Sequence, residues 1–166
     1  LDLRVRDSHQ RIATTLIEFA YDLNRLEEFW NTPPIRRATD VACVLIALIN
    51  DVFEYETEVL ERHSHFNLIA LMMKQYELSF AQAVHECISL INKQLAVLDG
   101  LISDEPPLAD ALLHKQRNQY LQGLRDQVNG MWHWHYSTNR YRSPTSPFPE
   151  LRTFLSEVPN RQLLTA

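Results

Sequence analysis

Apolar positions recur every three to four residues along most of this chain, the period of a helix with one buried face. In QRIATTLIEFAYDL, residues 10–23, that period places Ile12, Leu16, Phe19, Ala20 and Leu23 on one side, the side expected to meet a core. Residues 1–7 read as the end of a preceding helix. LEEFW makes a short helical turn, and Asn31-Thr32-Pro33-Pro34 breaks it. Thr32 or Pro33 then caps a long helix over about 34–62, since a proline is tolerated in the first turn, where its missing N–H has no partner to lose. The middle of that helix, VACVLIALI, is apolar on every side, so it is expected to run through the interior.

His63-Ser64-His65 interrupts the pattern. Two further helices follow over 66–77 and 80–102, split near Leu78-Ser79. Asp104-Glu105-Pro106-Pro107 is a loop, and 108–138 is a second long helix with Gly123 and Gly130 inside it. The Ser- and Pro-rich tail from Arg142 to Pro149 is expected to lie over the surface. No stretch alternates with the period of two that a half-buried strand needs. The expectation is an all-α single domain built on two long helices.

Composition narrows the class. With 166 residues, 45% hydrophobic and 22% charged, the chain can bury a core and is not of the disordered type. Sixteen basic against 21 acidic residues give a formal charge of −5, which disfavours a nucleic-acid partner. No apolar run approaches the roughly 20 residues of a membrane span. The opening LDLRVRDSHQR is charged, unlike a secretory leader, and starts inside a helix-like stretch without Met, as a fragment, a processed chain or the ordered part of a longer protein would. Cys43 and Cys87 sit in helical patterns with no CxxC or zinc spacing, and read as reduced thiols of a cytoplasmic protein.

Two stretches carry chemistry. Where the buried helix leaves its apolar run, NDVFEYETE places Asn50, Glu54 and Glu58 four residues apart. At about 100° and 1.5 Å per residue they fall within about 80° of one another along roughly 12 Å of axis. One amide and two carboxylates on one stripe are either a helix end meeting water or an all-oxygen ligand set of the kind Mg²⁺ prefers. Downstream, NGMWHWHYSTNRYR crowds aromatic residues onto the end of a helix and closes with Arg140-Tyr141. The aromatics can be core, and Arg140 a surface charge. Equally, the guanidinium fork and the phenol can hold a phosphate. Zinc is not expected: His133 and His135 point nearly opposite ways on a helix, His63 and His65 sit in a turn, and no further ligands stand at familiar spacing.

Taken together, these residues resemble class I terpene synthases (terpene cyclases), the bacterial type above all. NDVFEYETE is similar to the family's second metal motif, NDxxSxxxE, whose Asn, Ser and Glu bind one Mg²⁺. Arg140-Tyr141 resembles the RY pair that holds the substrate diphosphate, and Gly130, Trp134, Arg140 and Tyr141 follow the spacing of the helix leading into it. Arg4, 46 residues before Asn50, matches the diphosphate-sensing Arg, with Asp7 as the linker and Ser8 as the effector, where the family usually has Gly. The resemblance implies the C-terminal half of a class I terpenoid synthase α-helical domain spanning 1–166. Its metal ligands would be Asn50, Glu54 and Glu58, its diphosphate ligands Arg4, Arg140 and Tyr141, and a pocket wall Trp134. It implies three Mg²⁺ ions in a complete enzyme, one of them on this motif. The substrate would be a prenyl diphosphate, with farnesyl diphosphate foremost, ionised to an allylic cation that cyclises. The domain's other half would be a necessary neighbour, and a homodimer is compatible with the resemblance.

The chain also departs from the pattern. Glu54 stands where the family has Ser or Thr, sometimes Gly, and Thr57 where it often has a diphosphate-binding Lys. The family's upstream aspartate-rich metal motif has no counterpart in 1–166, and a complete domain is about twice as long. Three readings therefore stay open: part of an active synthase, a synthase-like protein that binds without ionising, or a helical interaction module.

Overall fold

The computed structural model describes residues 2–8, 10–23, 32–104 and 106–152, and every regular element among them is helical. The order is α1 (Asp2–Asp7), α2 (Gln10–Ala20), α3 (Pro33–Phe53), a π-helix (Glu56–Glu61), α4 (Leu68–Tyr76), α5 (Phe80–Ser103) and α6 (Ala111–Ser137). Single 3₁₀ turns follow at Asn139–Tyr141 and Pro149–Leu151. The expected turn at LEEFW lies outside the described residues.

Helix α3 is the axle. Ala38, Ala42, Cys43, Leu45, Ile46, Ala47 and Leu48 have no exposed surface, so the charge-free run is buried all round, between α5 and α6, with α1, α2 and α4 against its remaining sides. Pro33 and Pro34 occupy its first turn, and Thr32 takes the N-cap backbone conformation without donating or accepting a side-chain cap bond. The helix was expected to run unbroken to residue 62. It instead widens after Phe53: the Arg62 N–H reaches the Thr57 carbonyl at 3.1 Å, five residues back, which defines the π-helix.

The remaining boundaries follow from local capping. Asn67 caps α4 by accepting from the Ile69 N–H. Glu77, with φ of 54°, ends α4. Ser79 and Gln82 form a capping box at the start of α5. Asp110 accepts from the N–H groups of Leu112 and Leu113, which starts α6 three residues later than periodicity suggests. At 24 residues, α5 is a third long helix beside α3 and α6. The tail does run over the surface, but it is pinned. Ser143 and Thr145 donate to Glu56 at 2.7 and 2.9 Å, Ser146 and Leu151 are buried, and Phe148 packs on Phe80.

Helix α2 corrects the first expectation. Of Ile12, Leu16, Phe19, Ala20 and Leu23, only Leu23 is buried, and Phe19 is 87% exposed. The face that meets the fold is that of Thr14 and Ile17, because α2 crosses α6 over Gly123. A Cβ on Gly123 would lie 2.4 Å from Ile17 Cγ2, a methyl fixed on a stiff β-branched side chain, whereas one on Gly130 would meet nothing within 4 Å. Gly123→Ala is therefore expected to destabilise by about 1–3 kcal/mol through overpacking. Gly130→Ala is expected to stabilise by about 0.5–1 kcal/mol through helix propensity. Urea unfolding midpoints of the two variants, moving in opposite directions, would check this close approach.

Cys43 and Cys87 are unpaired and fully buried, and burial pushes their thiols up to about 11 and about 12. No helix among the described residues is long and apolar enough to cross a membrane.

Candidate functional site

The end of α3 gathers side chains from widely separated parts of the chain. Asn50, Glu54 and Glu58 remain stacked on successive turns, with the Glu54 N–H on the Asn50 carbonyl at 2.8 Å and the Glu58 N–H on the Glu54 carbonyl at 2.7 Å. Against them come Arg4 from α1, Asn67 from the cap of α4, His135 from α6, and Arg140 and Tyr141 from the 3₁₀ turn.

Arg4 grips the stripe from one side. Its Nε donates to Asp51 Oδ1 at 2.6 Å, and its Nη2 to Asn50 Oδ1 at 2.8 Å and Glu58 Oε1 at 3.4 Å. Nη1 lies 3.6 Å from Asp7, and the guanidinium sits over the Phe66 ring. The chain breaks between α1 and α2 at the expected linker and effector positions. Ser8 Oγ donates back to the Val5 carbonyl, and the Ser8 carbonyl accepts from the Gln10 amide at 3.3 Å.

Asp51 is the residue that sequence reasoning passed over. Its side chain is fully buried, with Oδ1 on Arg4 and Oδ2 accepting from the Leu68 N–H at 2.9 Å. Burial raises its pKa, against the pull of Arg4 and that N–H. The signal was an acid on the Leu48 side of a wholly buried helix, where a charge demands a partner. Asn67 was missed likewise. It is buried, and its amide donates to the Asp51 carbonyl at 2.8 Å and to Glu58 Oε2 at 3.0 Å. Burial also raises the pKa of Glu58, with the Asn67 bond and Arg4 opposing.

His135, set aside as a zinc ligand, is structural to this site. It is fully buried in register with Leu124 and Val128. Its Nδ1 faces the Met131 carbonyl at 2.7 Å, so the proton belongs there and Nε2 is left to accept from Asn50 Nδ2 at 3.4 Å. Burial lowers its pKa and keeps the ring neutral. Since Asn50 Oδ1 accepts from Arg4, its amide is oriented from both ends. His133 lies on the opposite, exposed side of α6. The Tyr141 ring stacks on His135 at 5.1 Å, and Trp134, 48% exposed, stands edge-on to it at 5.8 Å.

Glu54 turns away from the expected ligand set. Its Oε1 accepts from Arg140 Nε at 3.1 Å and Nη2 at 2.8 Å, and from the Tyr141 hydroxyl at 2.9 Å. Burial and this carboxylate together raise the Tyr141 pKa. The two donors expected to hold a phosphate thus hold an internal carboxylate.

Two of the three expected metal ligands share one partner. Asn50 Oδ1 and Glu58 Oε1 converge on one nitrogen of Arg4, a cationic stand-in at a single point between them. Their oxygen donors suit Mg²⁺. Among the described residues, no three His, Cys, Asp or Glu side chains gather as a ready-made metal site. An apolar cavity of about 160 Å³ lies against Phe53, Val84, Ile88, Trp132, Phe148 and Leu151, below the roughly 300–1,000 Å³ of small-molecule pockets. Trp134 does not line it.

This arrangement of helices is the all-α terpenoid synthase fold. The T181N variant of cucumene synthase superposes with a TM-score of 0.70 at 21% identity, over 79% of this chain and 44% of that one. Residues 1–96 match the family described as terpene synthase family 2, C-terminal metal binding, and the chain belongs to that family. It is 27% identical over 142 residues to terpene synthase 6 of Dictyostelium discoideum, and 30% identical over 145 residues to the sesquiterpene synthase Agr1 of Cyclocybe aegerita. These alignments cover 84% and 85% of this chain but 39% and 40% of those relatives, so the chain spans well under half their length.

Proposed function

We propose that residues 1–166 form the C-terminal portion of a class I terpene synthase that ionises a prenyl diphosphate, farnesyl diphosphate foremost, and guides cyclisation of the resulting cation. The observation that carries this is the meeting of Arg4, Asn50, Glu58, Arg140 and Tyr141 at one end of α3, although they span most of the sequence. Cation ligands and phosphate ligands side by side are what departure of a diphosphate requires.

In this mechanism Asn50 and Glu58 would hold Mg²⁺, and Glu54 would join them if its carboxylate turned. The metal, when bound, supplies charge neutralisation for the leaving diphosphate. Arg140 and Tyr141 donate to the diphosphate oxygens and fix its orientation. Neutral His135 keeps the Asn50 amide turned with its oxygen toward the cation. Arg4 senses the anion and transmits strain to the break at Asp7 and Ser8, whose carbonyl then faces the developing cation. Trp134 offers an aromatic face for positive charge. Mg²⁺ and the other ions of a three-metal complement would also need carboxylates from beyond this chain. The exposed stripe of Ile12, Leu16 and Phe19 suits burial against the remaining part of the domain. Buried reduced thiols at Cys43 and Cys87 suit a cytoplasmic protein.

The test is incubation of the full-length protein with farnesyl diphosphate, with and without Mg²⁺, and headspace analysis by gas chromatography–mass spectrometry. A cyclic hydrocarbon or alcohol that depends on Mg²⁺ is expected. Absence of any product from farnesyl, geranyl and geranylgeranyl diphosphates alike would favour the second reading, a non-catalytic binder. The Glu54 carboxylate filling the Arg140–Tyr141 grip is the observation that favours it.

A further inference from the structure

Arg140 and Tyr141 already hold an anion. A single oxygen of Glu54 takes all three of their donors, two from the guanidinium and one from the phenol, at 2.8–3.1 Å. On the far side of the same stripe, Arg4 holds Asn50 Oδ1 and Glu58 Oε1. Groups suited to a cation are thus paired with groups suited to a phosphate. Building on the function proposed above, we infer that Glu54 is an internal stand-in for the diphosphate: it occupies the Arg140–Tyr141 grip in the resting protein and must leave before the substrate anion enters, so that Mg²⁺ and diphosphate bind as a coupled pair.

The coupling follows from charge. A diphosphate entering alone would displace Glu54 and leave that carboxylate unpaired beside Glu58 and Asp51, with more negative charge added. A cation entering alone would face the guanidinium of Arg4 across the same two oxygens. With both present, the Glu54 and Glu58 carboxylates turn to the cation and the Arg140 guanidinium to the phosphates, so each ligand offsets much of the charge that the other brings. Glu54 is 7% exposed while the Arg140 side chain is 55% exposed, so the anion reaches Arg140 from solvent as Glu54 withdraws inward. Rotation about the side-chain torsions of Glu54 suffices for the exchange. A Ser at this position, the family's usual residue, carries no charge and is too short to act this way.

The cost of self-occupation is the fraction of time the grip stands open. If it is free a tenth of the time or less, metal-free affinity for the anion falls at least about tenfold. Isothermal titration of inorganic diphosphate into the full-length protein, first with a chelator and then with saturating Mg²⁺, measures this for the wild type, Glu54→Ser, Glu54→Gln and Arg140→Ala. Without metal, Glu54→Ser is expected to bind at least about tenfold more tightly than wild type. Glu54→Gln, which keeps the shape and loses the charge, is expected to fall between and covers the case in which the serine variant does not fold. Mg²⁺ is expected to improve diphosphate binding by a larger factor in the wild type than in either variant.

Three results would overturn the inference. Equal metal-free affinity of wild type, Glu54→Ser and Glu54→Gln, with binding lost in Arg140→Ala, would leave the grip intact and remove Glu54 as its competitor. Binding by the Glu54 variants with none by wild type even in Mg²⁺ would make Glu54 a permanent plug. Unchanged binding in Arg140→Ala would mean that Arg140 does not hold the diphosphate, and the proposed function would fail with the inference.

Discussion

Arg4→Ala is expected to lower folding stability by about 3–5 kcal/mol, the range for breaking a buried ion pair from one side. Arg4 is 12% exposed and Asp51 not at all, so solvent cannot take over the lost contact. Asp51 would keep one backbone donor, the Leu68 N–H, for a carboxylate whose charged form burial already disfavours. Asn50 Oδ1 and Glu58 would lose the same partner. A double-mutant cycle isolates the pair: Arg4→Ala with Asp51→Asn should cost at least about 1 kcal/mol less than the two single changes summed. Urea unfolding of the full-length protein gives these numbers. A loss under about 1 kcal/mol for Arg4→Ala would show that Asp51 has other compensation.

Arg140→Ala and Glu58→Gln are each expected to cut turnover of a prenyl diphosphate by about 10²–10³-fold, the range for removing one preorganised group from a developing charge. They act on opposite charges. Arg140 is half exposed and makes its contacts through Glu54 and the face of Tyr141, so its removal should lower stability less than Arg4→Ala does, and lower turnover much. Glu58→Gln keeps the Asn67 bond, because an amide oxygen can accept it, while it gives up the long contact with Arg4 and the charge that a cation needs. Steady-state kinetics with farnesyl diphosphate in saturating Mg²⁺ would check both. Turnover unchanged in both variants would reject the proposed function. Tyr141→Phe, which removes one of three donors to the same oxygen, should lose less than Arg140→Ala.

Much of this was legible because helix burial leaves a periodic trace. The charge-free run at 41–49 identifies the buried axle, since a helix apolar on all sides and too short to span a membrane belongs in the interior. Asn50 and Glu58 fall on one stripe because helical spacing is fixed, and the structure does bring their oxygens to one point. The buried role of His135 was also within reach, as it shares a face with Leu124 and Val128. Asp51 and Asn67 were not assigned a role because a single polar residue on a buried face does not say what satisfies it. Glu54 shows the limit more sharply. Its place on the stripe is local geometry, but the direction its carboxylate takes depends on donors 86 and 87 residues away.

Helix α2 marks the same boundary. The period found the apolar stripe of Ile12, Leu16 and Phe19 but could not tell that Thr14 and Ile17 would face the fold. That choice was made by Gly123, whose missing side chain lets α6 approach closely enough to displace the larger stripe outward.

By itself, the sequence determined the helices, their caps and the order of candidate ligands along them, because these depend on contacts within a turn or two. Only the tertiary structure decided which charges meet. At the end of α3 the pairings are set by long-range packing, and an ionised group goes to whichever opposite charge the fold brings closest. Here that sends Glu54 to Arg140 and Tyr141, and Arg4 to Asp51, Asn50 and Glu58.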